Sequence, residues 1–115
     1  MEDLPSERKE IALLARRKYA RFVPRTREMP CDWRPTAVIN PETGMPFTDA
    51  SAWNLIADLA ESGHPVKEKI LDQPKGEKAF EMEIGLSGNA SKIYIKVQVK
   101  GGKIFGRSFH CSYRK

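Results

Sequence analysis

Residues 92–100 alternate polar and apolar side chains without a break, and this alternation constrains the fold more than any other feature of the chain. The apolar set is Ile93, Ile95, Val97 and Val99, and the other set is Lys92, Tyr94, Lys96, Gln98 and Lys100. Because successive side chains of a β-strand point to opposite faces, the pattern predicts a strand with one face on a core. Gly101-Gly102 follows directly and favours a tight hairpin into a second strand over residues 103–113.

Further elements are predicted upstream of this hairpin. Apolar residues at helical spacing indicate a first helix over about 5–22 and a second over 49–61, with Thr48 as the N-cap of the second. Period-two patterns predict strands over about 66–71 and 77–86. Five prolines between residues 24 and 46 exclude one long regular element there, although residues 36–39 could pair at a sheet edge and Trp33 is expected to anchor the segment to the core. We therefore expect one α+β domain over residues 1–115, with two N-terminal helices packed on a C-terminal antiparallel sheet of about four strands.

The charge of the chain is unevenly distributed. Residues 87–115 carry seven Lys or Arg and no Asp or Glu, whereas residues 36–86 carry nine acidic residues against four basic ones. A basic surface on folded strands attracts phosphate groups, so nucleic acid is the expected partner. No apolar run approaches the roughly 20 residues that span a bilayer, which predicts a cytoplasmic protein without a membrane partner. Cys31 and Cys111 lack the spacing of a metal site, and neither metal nor cofactor is expected.

The turns determine which side chains meet across the polar side of the sheet. A two-residue turn at Gly101-Gly102 places Lys100 opposite Lys103, Gln98 opposite Phe105, Lys96 opposite Arg107 and Tyr94 opposite Phe109. A four-residue turn at 87–90 places Glu81 opposite Lys96 and Glu83 opposite Tyr94. Such a face suits phosphodiester chemistry or recognition of single-stranded RNA. A solvated face with cross-strand ion pairs is an equally compatible interpretation.

His110 depends on the same register. Without an irregularity it falls on the apolar face together with Ser108. A β-bulge at Gly106 would shift both residues by one place and turn them onto the basic face. An imidazole on that face could exchange protons near neutral pH, whereas a structural histidine is the alternative.

The C-terminal hairpin resembles a known group of proteins. The run from Ile93 to Val99, Gly101-Gly102, and the run from Arg107 to His110 are similar to the last hairpin of small bacterial ribonuclease toxins of the RelE and MqsR type, which share the barnase-like and colicin-like nuclease fold. The likeness covers about the last thirty-five residues. It implies metal-independent RNA cleavage, in which a ribose 2′-hydroxyl attacks the adjacent phosphate, and it implies an antitoxin protein as a partner.

The resemblance also implies roles for individual residues. Lys96 and Arg107 would contact the phosphate, Tyr94 or Glu81 would lie near the 2′-hydroxyl, and His110 would act as acid or base if a bulge exposes it. The expected RNA-binding residues are Lys92, Lys100, Lys103, Phe105 and Phe109, the last two by stacking on bases.

Two other functions fit the same sequence. A non-catalytic nucleic-acid-binding module would use these cations and aromatic rings to hold a phosphate backbone, with steep salt dependence. A small protein-interaction inhibitor, such as a phage-encoded factor, would present the basic face to an acidic protein instead.

Overall fold

The chain folds into two α-helices and six β-strands in a computed structural model that describes residues 5–27, 31–40, 42–72, 75–85 and 91–113. The helices are α1 (Pro5–Ala15) and α2 (Asp49–Glu61). The strands are β1 (Arg21–Phe22), β2 (Asp32–Trp33), β3 (Lys67–Asp72), β4 (Lys75–Gly85), β5 (Ser91–Lys100) and β6 (Lys103–Tyr113). The predicted α+β class is confirmed. The predicted turn at 87–90 lies outside the described residues.

The strands form one mixed sheet. Its order is β1-β6-β5-β4-β3, and β2 also pairs with β6. The strands from β3 to β6 are antiparallel as expected, whereas β1 and β2 both run parallel to β6. The prediction of about four antiparallel strands was therefore incomplete. Strands of two residues are too short for an alternating pattern to reveal them.

The first helix is shorter than predicted. It ends at Ala15, a 3-10 turn follows over Lys18–Ala20, and the chain then extends as β1. Arg21 and Phe22 pair with Ile104 and Phe105 of β6. Pairing with a distant strand thus overrides the local helical pattern of residues 16–22, because tertiary contacts outweigh the small intrinsic differences in helix propensity.

The second helix begins at the predicted cap. The Thr48 hydroxyl accepts a hydrogen bond from the Ser51 amide at 3.0 Å, and the Ser51 hydroxyl accepts one from the Thr48 amide at 2.8 Å. This reciprocal pair satisfies two backbone donors at the helix start. The Arg16 guanidinium, just after α1, donates to Asp58 and Glu61 of α2, each at 2.7 Å. The two helices are therefore joined to each other as well as to the sheet.

One hydrophobic core contains the buried side chains of both helices and of the apolar strand faces. Trp33 is 4 % exposed, and its ring centroid lies 4.8 Å from that of Trp53 and 5.5 Å from that of Phe109. The predicted role of Trp33 as an anchor is confirmed. Residues 36–39 do not form the expected edge strand, since Pro35–Ala37 is a 3-10 turn and Ile39 makes an isolated bridge to Pro46. The opposite side of the sheet carries the polar residues of β3, β4, β5 and β6 and is called the polar face below.

Candidate active site

The β5–β6 hairpin contains a β-bulge that determines the composition of the polar face. Gly101 and Gly102 have φ of 59° and 75°, a left-handed conformation that glycine adopts without strain. Lys100 pairs with Lys103 and Gln98 with Phe105, as predicted. Beyond them, Val97 pairs with Gly106 and Lys96 with Ser108, so one residue, Arg107, is inserted between the pairs. The bulge considered for this position is present.

Because of the inserted residue, two of the predicted pairs are wrong and His110 lies on the polar face. Lys96 lies opposite Ser108, not Arg107, and Tyr94 lies opposite His110, not Phe109. Phe109 is fully buried and packs edge-on against Phe47, with centroids 5.1 Å apart. Its predicted exposure for base stacking is therefore wrong. A bulge shifts every later residue of its strand by one place, which explains both corrections.

Two rows of paired residues cross the polar face. The first row is Lys67, Glu81, Lys96, Ser108 and Asp32, on β3, β4, β5, β6 and β2 in that order. The second row is Glu83, Tyr94 and His110. The predicted pairs of Glu81 with Lys96 and of Glu83 with Tyr94 are confirmed. The rows bring a carboxylate, an ammonium, a phenol and an imidazole onto adjacent strands.

Glu81 is held by its neighbours. The Tyr94 hydroxyl donates a hydrogen bond to Glu81 Oε2, and Lys69 Nζ lies 3.4 Å from the same oxygen. Burial, together with the hydrogen bond to Glu81 and its charge, raises the pKa of the Tyr94 phenol well above its ordinary value. Tyr94 consequently stays protonated at neutral pH and acts as a donor, which leaves Glu81 as the better proton acceptor of the two.

Lys96 occupies the centre of the first row in a half-buried position. Burial, and then the positive charges of Lys69 and Arg107, lower the pKa of Lys96 from its ordinary value. Lys69 and Arg107 thus repel Lys96 at this part of the face. A bound phosphate would offset that repulsion through charge-assisted hydrogen bonds, so the centre of the row favours an anion.

His110 is fixed by contacts on both ring nitrogens. Nε2 lies 3.4 Å from Asp32 Oδ2, and Nδ1 lies 3.1 Å from the carbonyl oxygen of Cys111. The ring centroid is 5.4 Å from that of Tyr94. Both partners accept hydrogen bonds, so a ring protonated on both nitrogens can donate to each of them. Asp32 was not predicted as a site residue, because the proline-rich segment around it gives no strand pattern.

Arg107 is buried on the polar face, within a network of polar side chains. It is 2 % exposed, and its Nη1 donates to Gln98 Oε1 at 2.7 Å. The Gln98 amide donates in turn to Glu77, which also accepts from Lys100 Nζ at 2.7 Å. The hydrogen bond from Lys100 is the largest cause of a lowered Glu77 pKa. Arg107 therefore acts on the face through its charge and by fixing Gln98, rather than as an exposed phosphate ligand.

A groove of about 530 Å³ opens beside the two rows. Lys67, Glu81, Glu83 and Tyr94 line it from the sheet. His64 borders it and forms a hydrogen bond of 2.8 Å between Nε2 and the carbonyl oxygen of Glu83. The groove gives a bound molecule access to Glu81 and Tyr94 from one side.

The other predicted RNA-binding residues are spread along the hairpin. Lys100 and Lys103 are exposed near the turn, and Lys92 and Phe105 are half-buried on the polar face. Among the described residues, no group of three His, Cys, Asp or Glu side chains is placed to hold a metal ion. The described helices also lack the combination of length and hydrophobicity that spanning a bilayer requires. Comparisons with models of known families, with curated proteins and with solved structures found no match.

The electrostatically unfavourable position of Lys96 leads to a testable effect on stability. Its folded pKa lies below the ordinary value, so the protonated side chain destabilises the fold at neutral pH. This cost is lost as pH rises from the lowered folded pKa to the unfolded value of 10.5. Lys96→Met should raise the free energy of unfolding by about 0.5–1 kcal/mol at neutral pH, as replacing a functional polar group often does. Urea unfolding with Lys92→Met as the control would measure this gain, and a loss of stability in Lys96→Met would contradict it.

Proposed function

We propose that this protein is a metal-independent endoribonuclease that cleaves RNA by attack of a ribose 2′-hydroxyl on the adjacent phosphate. The observation that carries the proposal is the bulge at Arg107, which brings His110 onto the face that holds Glu81 and Lys96. The reaction needs a base, a cation for the phosphorane and an acid for the leaving oxygen. A carboxylate, an ammonium and an imidazole on three neighbouring strands supply these groups.

The roles follow from the environment of each group. Glu81 takes the proton of the 2′-hydroxyl, whose oxygen forms a bond to phosphorus. Lys96 stabilises the added negative charge. His110, held at Nε2 by Asp32, exchanges the contact of its Nδ1 with the Cys111 carbonyl for the departing 5′ oxygen and protonates that oxygen as its bond to phosphorus breaks. The products are a 2′,3′-cyclic phosphate and a free 5′-hydroxyl. Neighbouring strands lie about 4.8 Å apart, so a phosphate above β5 would sit between the carboxylate on β4 and the imidazole on β6.

Tyr94 and Asp32 support these groups without exchanging the proton. Tyr94 donates to Glu81 and fixes the direction of its carboxylate. Asp32 holds the His110 ring from the other side of the site. A base and an acid must be held in a fixed geometry for proton transfer to gain from proximity, and these two contacts supply that constraint.

The direct test is cleavage of end-labelled single-stranded RNA by the purified protein in EDTA. We expect fragments that end in a cyclic phosphate, and no cleavage of the same sequence with 2′-O-methyl ribose, because the nucleophile is then blocked. Glu81→Gln serves as the matched inactive variant. RNA that stays intact over a range of sequences, or fragments with a 3′-hydroxyl end, would rule out this reaction.

A non-catalytic RNA-binding module is the second candidate. The observation that favours it is that the Glu81 carboxylate already accepts a hydrogen bond from Tyr94 and lies near Lys69. A carboxylate with these partners is less available to take a proton from a 2′-hydroxyl. In this alternative, the charged side chains of the two rows bind the phosphate backbone of RNA and do not transfer protons. RNA binding with a steep loss of affinity at higher salt, without any cleavage, would identify it.

A further inference from the structure

Two aromatic rings, one exposed and one half-buried, form a pair on the polar face near the hairpin turn. Phe22 of β1 lies opposite Phe105 of β6, with ring centroids 5.9 Å apart and the ring planes 37° from parallel. Phe22 is 40 % exposed, although its side chain is large and apolar. Phe105 lies opposite Gln98, which places the pair on the same face as Lys96 and Tyr94. We call Phe22 and Phe105 the aromatic platform.

We propose that the aromatic platform stacks on an unpaired base and that Lys100 and Lys103 contact the flanking phosphates, so that single-stranded RNA is the substrate. The inference rests on the proposed function and names the substrate class of that site. Proteins that bind single strands commonly combine aromatic stacking with a basic path along the backbone. A base within a duplex is stacked on its neighbours and cannot present its face to the platform.

The charges around the platform favour RNA over an apolar protein segment. Lys103 Nζ lies 5.2 Å from the centroid of the Phe22 ring. Lys100 Nζ lies 2.7 Å from Glu77 Oε2, and because a solvent-exposed ion pair contributes little, a phosphate can replace the carboxylate as its partner. An exposed cation–π contact is weaker than the stacking of a base on an aromatic ring, so a base can displace the ammonium group. The long Lys103 side chain then remains within reach of the phosphate of the stacked nucleotide.

The platform and the proposed catalytic groups are aligned along β6. Phe105 and His110 are separated by the bulge and by four ladder steps of about 3.3 Å, or roughly 13 Å in all. The buried guanidinium of Arg107 lies between them and is held by Gln98. An RNA strand with one base stacked on the platform can therefore pass over the positively charged Arg107 guanidinium to reach Lys96 and His110. The stacked base would fix the distance from a recognised nucleotide to the cleaved bond.

Binding measured on an inactive protein tests the platform separately from catalysis. In a His110→Ala background, we expect Phe22→Ala to weaken binding of a labelled single-stranded RNA by at least about fivefold, and Phe22→Trp to retain it. Binding to the same sequence in a duplex should not change. Leu13→Ala is the matched control, since Leu13 is an exposed apolar residue of α1 at 52 % exposure. Circular dichroism and urea unfolding would confirm that each variant is folded.

The outcomes separate the two proposals. If Phe22→Ala weakens single-strand binding but the wild type never cleaves RNA, the platform stands and the nuclease proposal fails. If the wild type cleaves RNA and a folded Phe22→Ala variant binds and cleaves normally, the platform proposal is overturned. Equal losses of affinity for single-stranded and duplex RNA in Phe22→Ala would also overturn the platform proposal. A wild-type protein that binds neither kind of RNA and binds another protein instead would overturn it as well.

Discussion

Replacing His110 by Ala is expected to slow RNA cleavage by about 10²- to 10⁴-fold, the usual contribution of a positioned acid or base. RNA binding should change little, because our proposal assigns the contacts with phosphate to Lys96, Lys100 and Lys103. The loss should therefore appear in kcat rather than in KM. Single-turnover cleavage of labelled RNA at saturating protein, together with equilibrium binding, would measure the two effects separately.

Two companion variants make this test specific. His64→Ala removes the other histidine, which borders the groove and contacts the Glu83 carbonyl, and it should keep most of the activity. Asp32→Asn keeps the shape of the residue but removes the carboxylate charge next to His110 Nε2, so we expect a smaller loss than for His110→Ala. Full activity in His110→Ala, or an equal loss in His64→Ala, would mean that the acid lies elsewhere on the face.

The sequence predicts the parts of this fold whose causes are local. The alternation from Ile93 to Val99, the Gly101-Gly102 turn and the Thr48 cap each depend on neighbouring residues, and each occurs where it was predicted. The register of Glu81 with Lys96 also agrees with the one predicted from a four-residue turn at 87–90. These elements alone bring the carboxylate and the ammonium of the candidate site together.

The remaining features depend on contacts between distant segments. The end of α1 and the strand at Phe22 result from pairing with β6. The sequence pattern of residues 16–22 gives no sign of that pairing. Asp32 reaches His110 because β2 pairs with β6, and β2 has only two residues. Gly106 makes a bulge in β6 one option, but the sequence of the strand alone does not determine whether it forms. The position of His110 therefore could not be decided from the sequence.

Gly106→Ala is expected to destabilise the protein by about 1–3 kcal/mol, the usual cost of overpacking a core. A Cβ at this position would lie 2.6 Å from Cε3 and Cζ3 of the Trp33 ring. The indole cannot easily move, because it packs against Trp53 and its Nε1 donates to Asp49 Oδ1 at 2.9 Å. Since Gly106 immediately precedes the bulge, any relief of the clash by a shift of β6 also moves His110. Urea unfolding and RNA cleavage should both be affected.

Gly85→Ala is the matched control, since Gly85 also lies in a strand, has no positive φ, and would meet no atom within 4 Å if it carried a Cβ. It should leave stability within about 0.5 kcal/mol of the wild type, as surface changes usually do. Trp33→Leu is expected to be destabilising alone, but in combination with Gly106→Ala it should remove the clash, so the two losses should be less than additive. Strictly additive losses would show that Trp33 does not determine the space at Gly106. In that case the destabilisation by Gly106→Ala would come from a contact other than the one with this indole.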